Sequence, residues 1–120
     1  MPVLEVEIVL RPGESLPPGL AADLAEGAGE VFHAPSGTTW VRLRSLAPEN
    51  YAENGGGPPD GVSPVFVSVL KRALPEMEQR RAEAARLAAG VARVCDRPVE
   101  NVHILYLPEG GGRMAFGGEL

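Results

Sequence analysis

The sequence contains the same pattern twice, and this duplication limits the possible folds more than any other feature. The pair Pro2-Val3 recurs as Pro64-Val65, and Gly55-Gly56 recurs as Gly117-Gly118, each at a spacing of 62 residues. Each half has the pattern of a βαβ unit, which joins two parallel strands through a right-handed crossover. The duplication therefore predicts an α+β fold, with a four-stranded mixed sheet and both helices on one face.

The first repeat, residues 2 to about 56, has the pattern of a strand, a helix and a second strand. Residues 3–10 alternate apolar and mixed positions, as a half-buried strand does. Ser15 can cap a helix that begins near Pro17 or Pro18 and carries apolar residues at three- and four-residue steps. Residues 38–46 predict the second strand, and a loop rich in Gly and Pro follows.

The second repeat, residues 64 to about 118, shows the same order. Residues 64–71 are rich in β-branched side chains, a long helical pattern runs from Pro75 to about Asp96, and residues 101–107 predict the last strand. With 120 residues, of which 44% are hydrophobic, the chain fits one domain spanning 1–120.

The 62-residue spacing also predicts which side chains share a face of the sheet. It aligns Val41 with His103, which places His103 on the helix side. Arg42 and Arg44 fall on the opposite face with Glu5 and Glu7, so we expect ion pairs there. That face also receives an apolar set, which indicates an oligomer that buries it. The set is Trp40, Val65, Val67, Val69, Val102, Ile104 and Tyr106.

Composition excludes several classes of function. No apolar run reaches 18 residues, and acidic Glu5 and Glu7 interrupt the N-terminal region where a secretory signal would lie, so we expect a cytoplasmic protein with no membrane segment. The formal net charge of −5 argues against nucleic-acid binding. The single Cys95 can form no internal disulfide and has no metal-ligand cluster around it, which predicts a helix-packing residue and no bound metal.

Pro2 is the strongest candidate for chemistry. It follows Met1, and a small second residue favours removal of the initiator methionine, which would leave Pro2 with a free secondary amine. An α-amino group titrates near 8, and burial or nearby cations lower its pKa until it can act as a general base. Pro64 holds the equivalent place in the second repeat, but its nitrogen is a tertiary amide inside the chain. If Met1 is retained, Pro2 is only the start of a strand.

These features together resemble the tautomerase superfamily. The segments Val102–Tyr106 and Met114–Leu120 are similar to the end of the short 4-oxalocrotonate tautomerase chain, and the double length matches the macrophage migration inhibitory factor type. The resemblance covers nearly the whole chain. It implies a homotrimer of fused βαβ units, sites at subunit interfaces, Pro2 as catalytic base and no cofactor.

Partners for Pro2 follow from the predicted sheet. If the first and third strands pair antiparallel, Leu70, Lys71 and Arg72 lie beside Pro2. A cation there lowers the pKa of the amine and binds a substrate carboxylate, which Arg does in a bidentate way. Side-chain alternation favours Arg72 over Lys71, because Arg72 shares parity with Leu70. An exposed charge at the end of a strand is the competing interpretation of Arg72.

Four more candidates come from the resemblance. His103 stands where the family has an Arg or Tyr that reaches a neighbouring subunit's site, and a buried, hydrogen-bonded structural histidine is the competing interpretation. Met114 stands at an active-site Phe position, and His33 lies near a lysine position of the inhibitory-factor type. Phe116, like Asn54 in the first repeat, replaces the water-activating Glu of family hydratases and dehalogenases, which disfavours that chemistry.

The predicted activity is keto-enol tautomerisation of a small 2-oxo or 2-hydroxy carboxylate. Pro2 would move the proton, while Arg72, with His103, would hold the carboxylate and the enolate oxygen. Two alternatives stay open. One is hydratase or dehalogenase action within the same superfamily, and the other is a non-catalytic oligomeric module of ferredoxin-like type that binds a small ligand.

Overall fold

A computed structural model describes all residues, 1–120, and shows six main elements. They are β1 (Val3–Val9), α1 (Leu20–Phe32), β2 (Trp40–Leu46), β3 (Val65–Leu70), α2 (Met77–Cys95) and β4 (Val102–Tyr106). Two short 3₁₀ helices lie at Pro48–Asn50 and Val99–Asn101. Both α-helices begin two or more residues later than the sequence predicts, since α1 starts after Gly19 in a left-handed conformation and α2 starts after Glu76 in an extended one.

The four strands form one mixed sheet in the order β2-β1-β3-β4. Each βαβ unit pairs its own strands in parallel, and the two units join through the antiparallel pair β1 and β3. Both helices pack on the same face, where they contact each other, α1 contacts β2 and α2 contacts β4. The predicted fold class is therefore confirmed. No helix is long and apolar enough to cross a membrane.

The core lies between the sheet and the two helices. Alternate residues of the central strands supply its floor, and one stripe of each helix supplies its cover. Cys95 belongs to this core, as predicted, and burial raises the pKa of its thiol to about 11. The fully buried side chains of the floor are Leu4, Val6, Ile8, Val65, Val67 and Val69.

The register of β3 corrects the prediction of which side chains face the helices. Leu4 lies opposite Val69 and Val6 opposite Val67, so these valines face the helices with Leu4 and Val6. The sequence predicted the reverse. Because side chains alternate along a strand, an error of one residue moves every side chain of the strand to the other face.

This reversal arises because equivalent positions of the two repeats lie 63 residues apart in the helices and strands, and not 62. The helix C-caps His33 and Asp96 are 63 residues apart and have nearly the same left-handed φ, 51° and 54°. By the same spacing, Val41 matches Ile104, and His103 matches Trp40. The prediction that His103 lies on the helix side is therefore wrong, because His103 faces away from the helices.

We call the face of the sheet that points away from the helices the open face. The side chains on it differ from those predicted, for the same one-residue reason. Of the seven residues expected there, only Trp40 is on it, whereas the other six face the helices. Its exposed apolar side chains are Trp40, Phe66 and Leu105, which are 49%, 37% and 60% exposed.

The predicted ion pairs on the open face are confirmed. Arg42 pairs with Glu5, and Arg44 lies 3.4 Å from Glu5 and 3.5 Å from Glu7. These pairs join β1 to β2, where the register places Glu5 beside Arg42 and Glu7 beside Arg44. They are solvent-exposed, so each contributes little stability.

Candidate active site

The end of the molecule where β1 begins brings several elements together, and we call it the proline end. Pro2 is buried there, and its carbonyl accepts a hydrogen bond from the Trp40 backbone at 3.1 Å. Since each helix returns the chain along the sheet, α1 ends and α2 begins at this same end. Pro2 therefore lies below the space between the two helix termini.

Lys71 is the cationic residue that the register places across from Pro2. Val3 pairs with Leu70, so the next position in the antiparallel ladder sets Pro2 beside Lys71 on the helix side. Arg72 follows on the other side and is exposed. The alternation argument that favoured Arg72 over Lys71 is therefore wrong, for the same one-residue reason that moved the valines of β3.

The Lys71 ammonium is held between the two helices. Its Nζ donates a hydrogen bond to Glu83 Oε2 of α2 at 2.8 Å, and it lies 5.0 Å from the centre of the Phe32 ring at the end of α1. Only 20% of the Lys71 side chain is exposed. A cation over a ring face is attracted by the ring quadrupole, so both contacts fix the ammonium.

Tyr106 completes this group from β4. Its hydroxyl donates a hydrogen bond to Glu83 Oε1 at 2.8 Å, so both carboxylate oxygens of Glu83 have a donor. Burial, and then this hydrogen bond, raises the pKa of Tyr106. The guanidinium of Arg80 lies 6.0 Å from the Tyr106 ring. The proline end thus contains a half-buried Lys-Glu-Tyr network centred on the buried Glu83.

The loop after β4 fixes the backbone of the segment that carries Lys71. Gly110 donates its N–H to the Lys71 carbonyl at 2.8 Å, and Gly111 donates to the Arg72 carbonyl at 3.1 Å. A side chain at Gly110 would place its Cβ 2.9 Å from Leu70 Cδ1. Glycine at this position therefore permits a close approach that orders the end of β3.

The other predicted residues, apart from His103, lie on separate elements around the proline end. His33 is the exposed C-cap of α1 and borders an open groove of about 700 Å³ on the outer side of that helix. Leu70 is half-buried at the proline end, under Gly110. Met114 is half-buried in the loop after β4, and Phe116 packs edge-on against Trp40 with ring centres 5.5 Å apart.

His103 lies far from Pro2 within one chain. It pairs with Phe66, which in turn pairs with Glu7, five residues along β1 from Pro2. At a rise of about 3.3 Å per residue, that separation is roughly 17 Å. The His103 ring stacks on Phe66 with centres 5.5 Å apart. The chain therefore brings Pro2, Leu70 and Lys71 together but leaves His103 at the other end of the open face.

Sequence reasoning missed Glu83 and Tyr106 as site residues. The signal for Glu83 was present, because it begins a buried stripe at four-residue spacing that continues through Leu87, Val91 and Cys95. A carboxylate in such a stripe needs partners, since a buried charge without them is costly. No group of three or more His, Cys, Asp or Glu residues is placed to hold a metal ion.

Comparison with known proteins gives structural matches only. No protein-family model matches the sequence, and no curated protein sequence matches it. Among solved structures, a fused 4-OT wild-type symmetric trimer matches with a TM-score of 0.76 and 18% identity, covering 98% of this chain and 94% of that one.

Two further solved structures have a similar fold. The macrophage migration inhibitory factor from Trichinella spiralis matches with a TM-score of 0.74 and 12% identity, covering 98% of this chain and 97% of that one. FG41 malonate semialdehyde decarboxylase, inhibited by 3-bromopropiolate, matches with a TM-score of 0.71 and 16% identity, covering 96% and 88%. Together with the strand order and the duplicated βαβ unit, these matches show that the chain has the fold of the tautomerase superfamily.

Proposed function

We propose that the protein is a cofactor-independent tautomerase that acts on a small 2-oxo or 2-hydroxy carboxylate, with Pro2 as general base. The observation that carries this proposal is the β1–β3 register, which pairs Val3 with Leu70 and, continued by one residue, places the buried Pro2 beside Lys71. Among proteins of the same fold are 4-OT and malonate semialdehyde decarboxylase, which supports an enzyme. A cytoplasmic location stays a prediction from the sequence.

The proposed reaction needs Pro2 as a free amine. Once Met1 is removed, the Pro2 nitrogen can take a proton from the substrate and return it elsewhere on the conjugated system. A buried amine near a cation has a lowered pKa, so a larger share is neutral and can accept the proton. The atoms balance, because the proton leaves one position of the substrate and returns to another.

Lys71 and Arg72 are the proposed carboxylate-binding groups. An ammonium has three N–H donors, and Glu83 accepts one from Lys71, which leaves donors for a substrate carboxylate. Arg72 is exposed at the same strand end and would make a second contact from the solvent side. Leu70, Met114 and Phe116 would supply apolar contacts to the substrate at the proline end, and His33 a polar contact from the C-cap of α1.

We further propose a homotrimer that covers the open face of the sheet. Phe66 and Leu105 are exposed on that face in a single chain, and the fused 4-OT structure is a trimer. In such a trimer His103 of the partner subunit would approach Pro2 around the end of the sheet, because Pro2 lies on the helix side and His103 on the open face. His103 could then donate a hydrogen bond to the enolate oxygen, a role that it cannot perform for Pro2 of its own chain.

Hydration or dehalogenation is less well supported by the same site. Either reaction needs a carboxylate that is free to activate water, and both oxygens of Glu83 already accept hydrogen bonds. Asn54 and Phe116 stand where the resembled hydratases have Glu. The proline end therefore favours proton transfer within the substrate.

The test is an ultraviolet assay of ketonisation with phenylenolpyruvate and 2-hydroxymuconate, with intact mass measured on the same sample. Turnover above the buffer rate by protein lacking Met1, with the keto form as the only product, would support the proposal. Hydrated or dehalogenated products would move the assignment to the neighbouring chemistry. Binding without turnover by protein lacking Met1 would favour a ligand-binding module.

A further inference from the structure

The Lys71 ammonium is fixed by a carboxylate that the proposed reaction does not use. Glu83 is 8% exposed, and its two oxygens accept hydrogen bonds from Lys71 and Tyr106. We propose that Glu83 is a positioning residue, which with Tyr106 holds Lys71 across from Pro2 and sets how readily Pro2 accepts a proton. This inference rests on the proposed function, because it concerns the same base.

The geometry gives Glu83 the means to hold Lys71. A lysine side chain is long and flexible, so its ammonium stays in one place only where several contacts restrain it. Glu83 is fixed on α2 by the buried stripe that it begins, and the Tyr106 hydroxyl, 2.8 Å from Oε1, orients the carboxylate. Phe32 closes the other side of the ammonium.

We expect Lys71 and Glu83 to affect the pKa of the Pro2 amine more than the other charged groups at the proline end do. Only 20% of the Lys71 side chain and 11% of the Glu83 side chain are exposed, and burial weakens the solvent screening of a charge. Other charged and titratable groups at this end are more open to water or already bonded to backbone groups. The groups are Glu30 and His33 from the end of α1, Lys71 and Arg72 from the end of β3, Glu76, Glu78, Arg80 and Glu83 from α2, Tyr106 from β4, and Glu109 and Arg113 from the loop after β4.

The pair acts on Pro2 through two opposite charges. Lys71 favours the neutral amine, and Glu83 favours the protonated amine, so the two effects partly cancel. Without Glu83 the Lys71 ammonium still contacts the Phe32 ring, so loss of Glu83 should leave an uncompensated cation beside Pro2 and lower the pKa of the amine. Loss of Lys71 should leave an uncompensated carboxylate and raise the pKa of the amine. A merely structural pair would not give shifts of opposite sign.

The experiment measures the Pro2 amine directly and does not depend on turnover. The protein is labelled with ¹³C-proline, and the carbon shifts of Pro2 are followed through a pH titration. Among the 12 prolines only Pro2 can titrate, since the others have amide nitrogens. Wild type is compared with Glu83→Gln, with Lys71→Met, and with the variant that carries both changes. Glu78→Gln, an exposed carboxylate in the first turn of the same helix, is the matched control.

We expect Glu83→Gln to lower the pKa of the Pro2 amine by about one unit and Lys71→Met to raise it by at least as much. Glu78→Gln should change it by a few tenths. The double variant removes both charges and should return close to wild type. It also leaves no unpaired buried charge, so it tests the idea even if a single variant fails to fold.

Two results would overturn the inference. One is a shift of the same sign, or no shift, in the two single variants, and the other is a double variant displaced by a full unit. Opposite shifts without turnover of any enol substrate would leave the charge pair intact and contradict only the proposed function. A retained Met1 would contradict both, because Pro2 would then have no amine.

Discussion

Arg97 and Glu14 form a nearly buried ion pair that joins segments 83 residues apart, with Nη2 and Oε1 at 2.7 Å. The Arg97 side chain is only 1% exposed. Its guanidinium also donates to the carbonyls of Val9, Ser63 and Cys95. Through these contacts Arg97 ties the end of β1, the residue before Pro64 and the end of α2 together, at the opposite end of the sheet from Pro2.

Arg97→Met should destabilise the fold strongly. The change leaves Glu14 without its main partner and three carbonyls without a donor, and breaking a buried ion pair costs about 3–5 kcal/mol. The free energy of unfolding from urea titration is the measurement. Arg93→Met, on the exposed side of the last turn of α2, is the control and should stay within about 0.5 kcal/mol of wild type. A loss below about 1 kcal/mol for Arg97→Met would contradict this account of the pair.

Glu14 should make stability depend on pH in the acid range. Its hydrogen bond from Arg97 lowers the pKa of its carboxyl below the ordinary value of 4.5. A group with a lowered folded pKa contributes stability above its unfolded pKa, and this contribution is lost as the pH falls through the folded pKa. The stability advantage of wild type over Glu14→Gln should therefore be full at neutral pH and shrink below about pH 4.5. An advantage that does not change with pH in urea titrations would rule out this linkage.

The architecture was predictable from the sequence because a duplicated βαβ pattern leaves few arrangements of strands and helices. The face of each side chain in the second repeat was harder to predict. The Pro-Val and Gly-Gly pairs repeat at 62 residues, while the helix caps His33 and Asp96 repeat at 63. A difference of one residue changes helix packing little, but it reverses the faces of a strand. The prediction therefore placed Arg72 beside Pro2, where the structure has Lys71.

The site was only partly predictable for a related reason. Pro2 is marked by its position in the chain, and Lys71 by the antiparallel pairing of β1 with β3. Glu83 and Tyr106 meet only because α2 and β4 pack together, and no local pattern shows that contact. Arg97 is similar, since its long-range partners come from two distant segments, residues 9–14 and Ser63, and neither segment has a motif.

Lys71 should contribute more to substrate binding than Arg72. The register places Lys71 beside Pro2 on the helix side, whereas Arg72 is exposed and faces away. For the enol substrate that the protein converts, Lys71→Met should raise KM by about tenfold, equal to about 1.4 kcal/mol, and Arg72→Met by less. Steady-state kinetics of both variants decide the matter. A larger effect of Arg72→Met would mean that the solvent-side cation holds the carboxylate.

Leu105→Lys should disrupt the proposed trimer. Leu105 is 60% exposed on the open face of the sheet, and a charge there would be buried without a partner in the assembly. Sedimentation velocity should show trimers for wild type and smaller species for the variant. Val99→Lys, at a 47% exposed residue of the 3₁₀ helix before β4, is the matched control and should keep the wild-type mass. If both variants keep that mass, the open face is not the interface.

The decisive experiment is the rate of the chemical step in Pro2→Ala. The variant keeps the strand and Lys71 but replaces the secondary amine of a rigid ring with the primary amine of a flexible residue. For the same enol substrate, we predict that kcat falls by about 10²-fold or more, within the range expected for loss of a general base, while KM changes little. A Pro2→Ala enzyme with the wild-type kcat, on protein shown by mass to lack Met1, would contradict the account of Pro2 as the catalytic base.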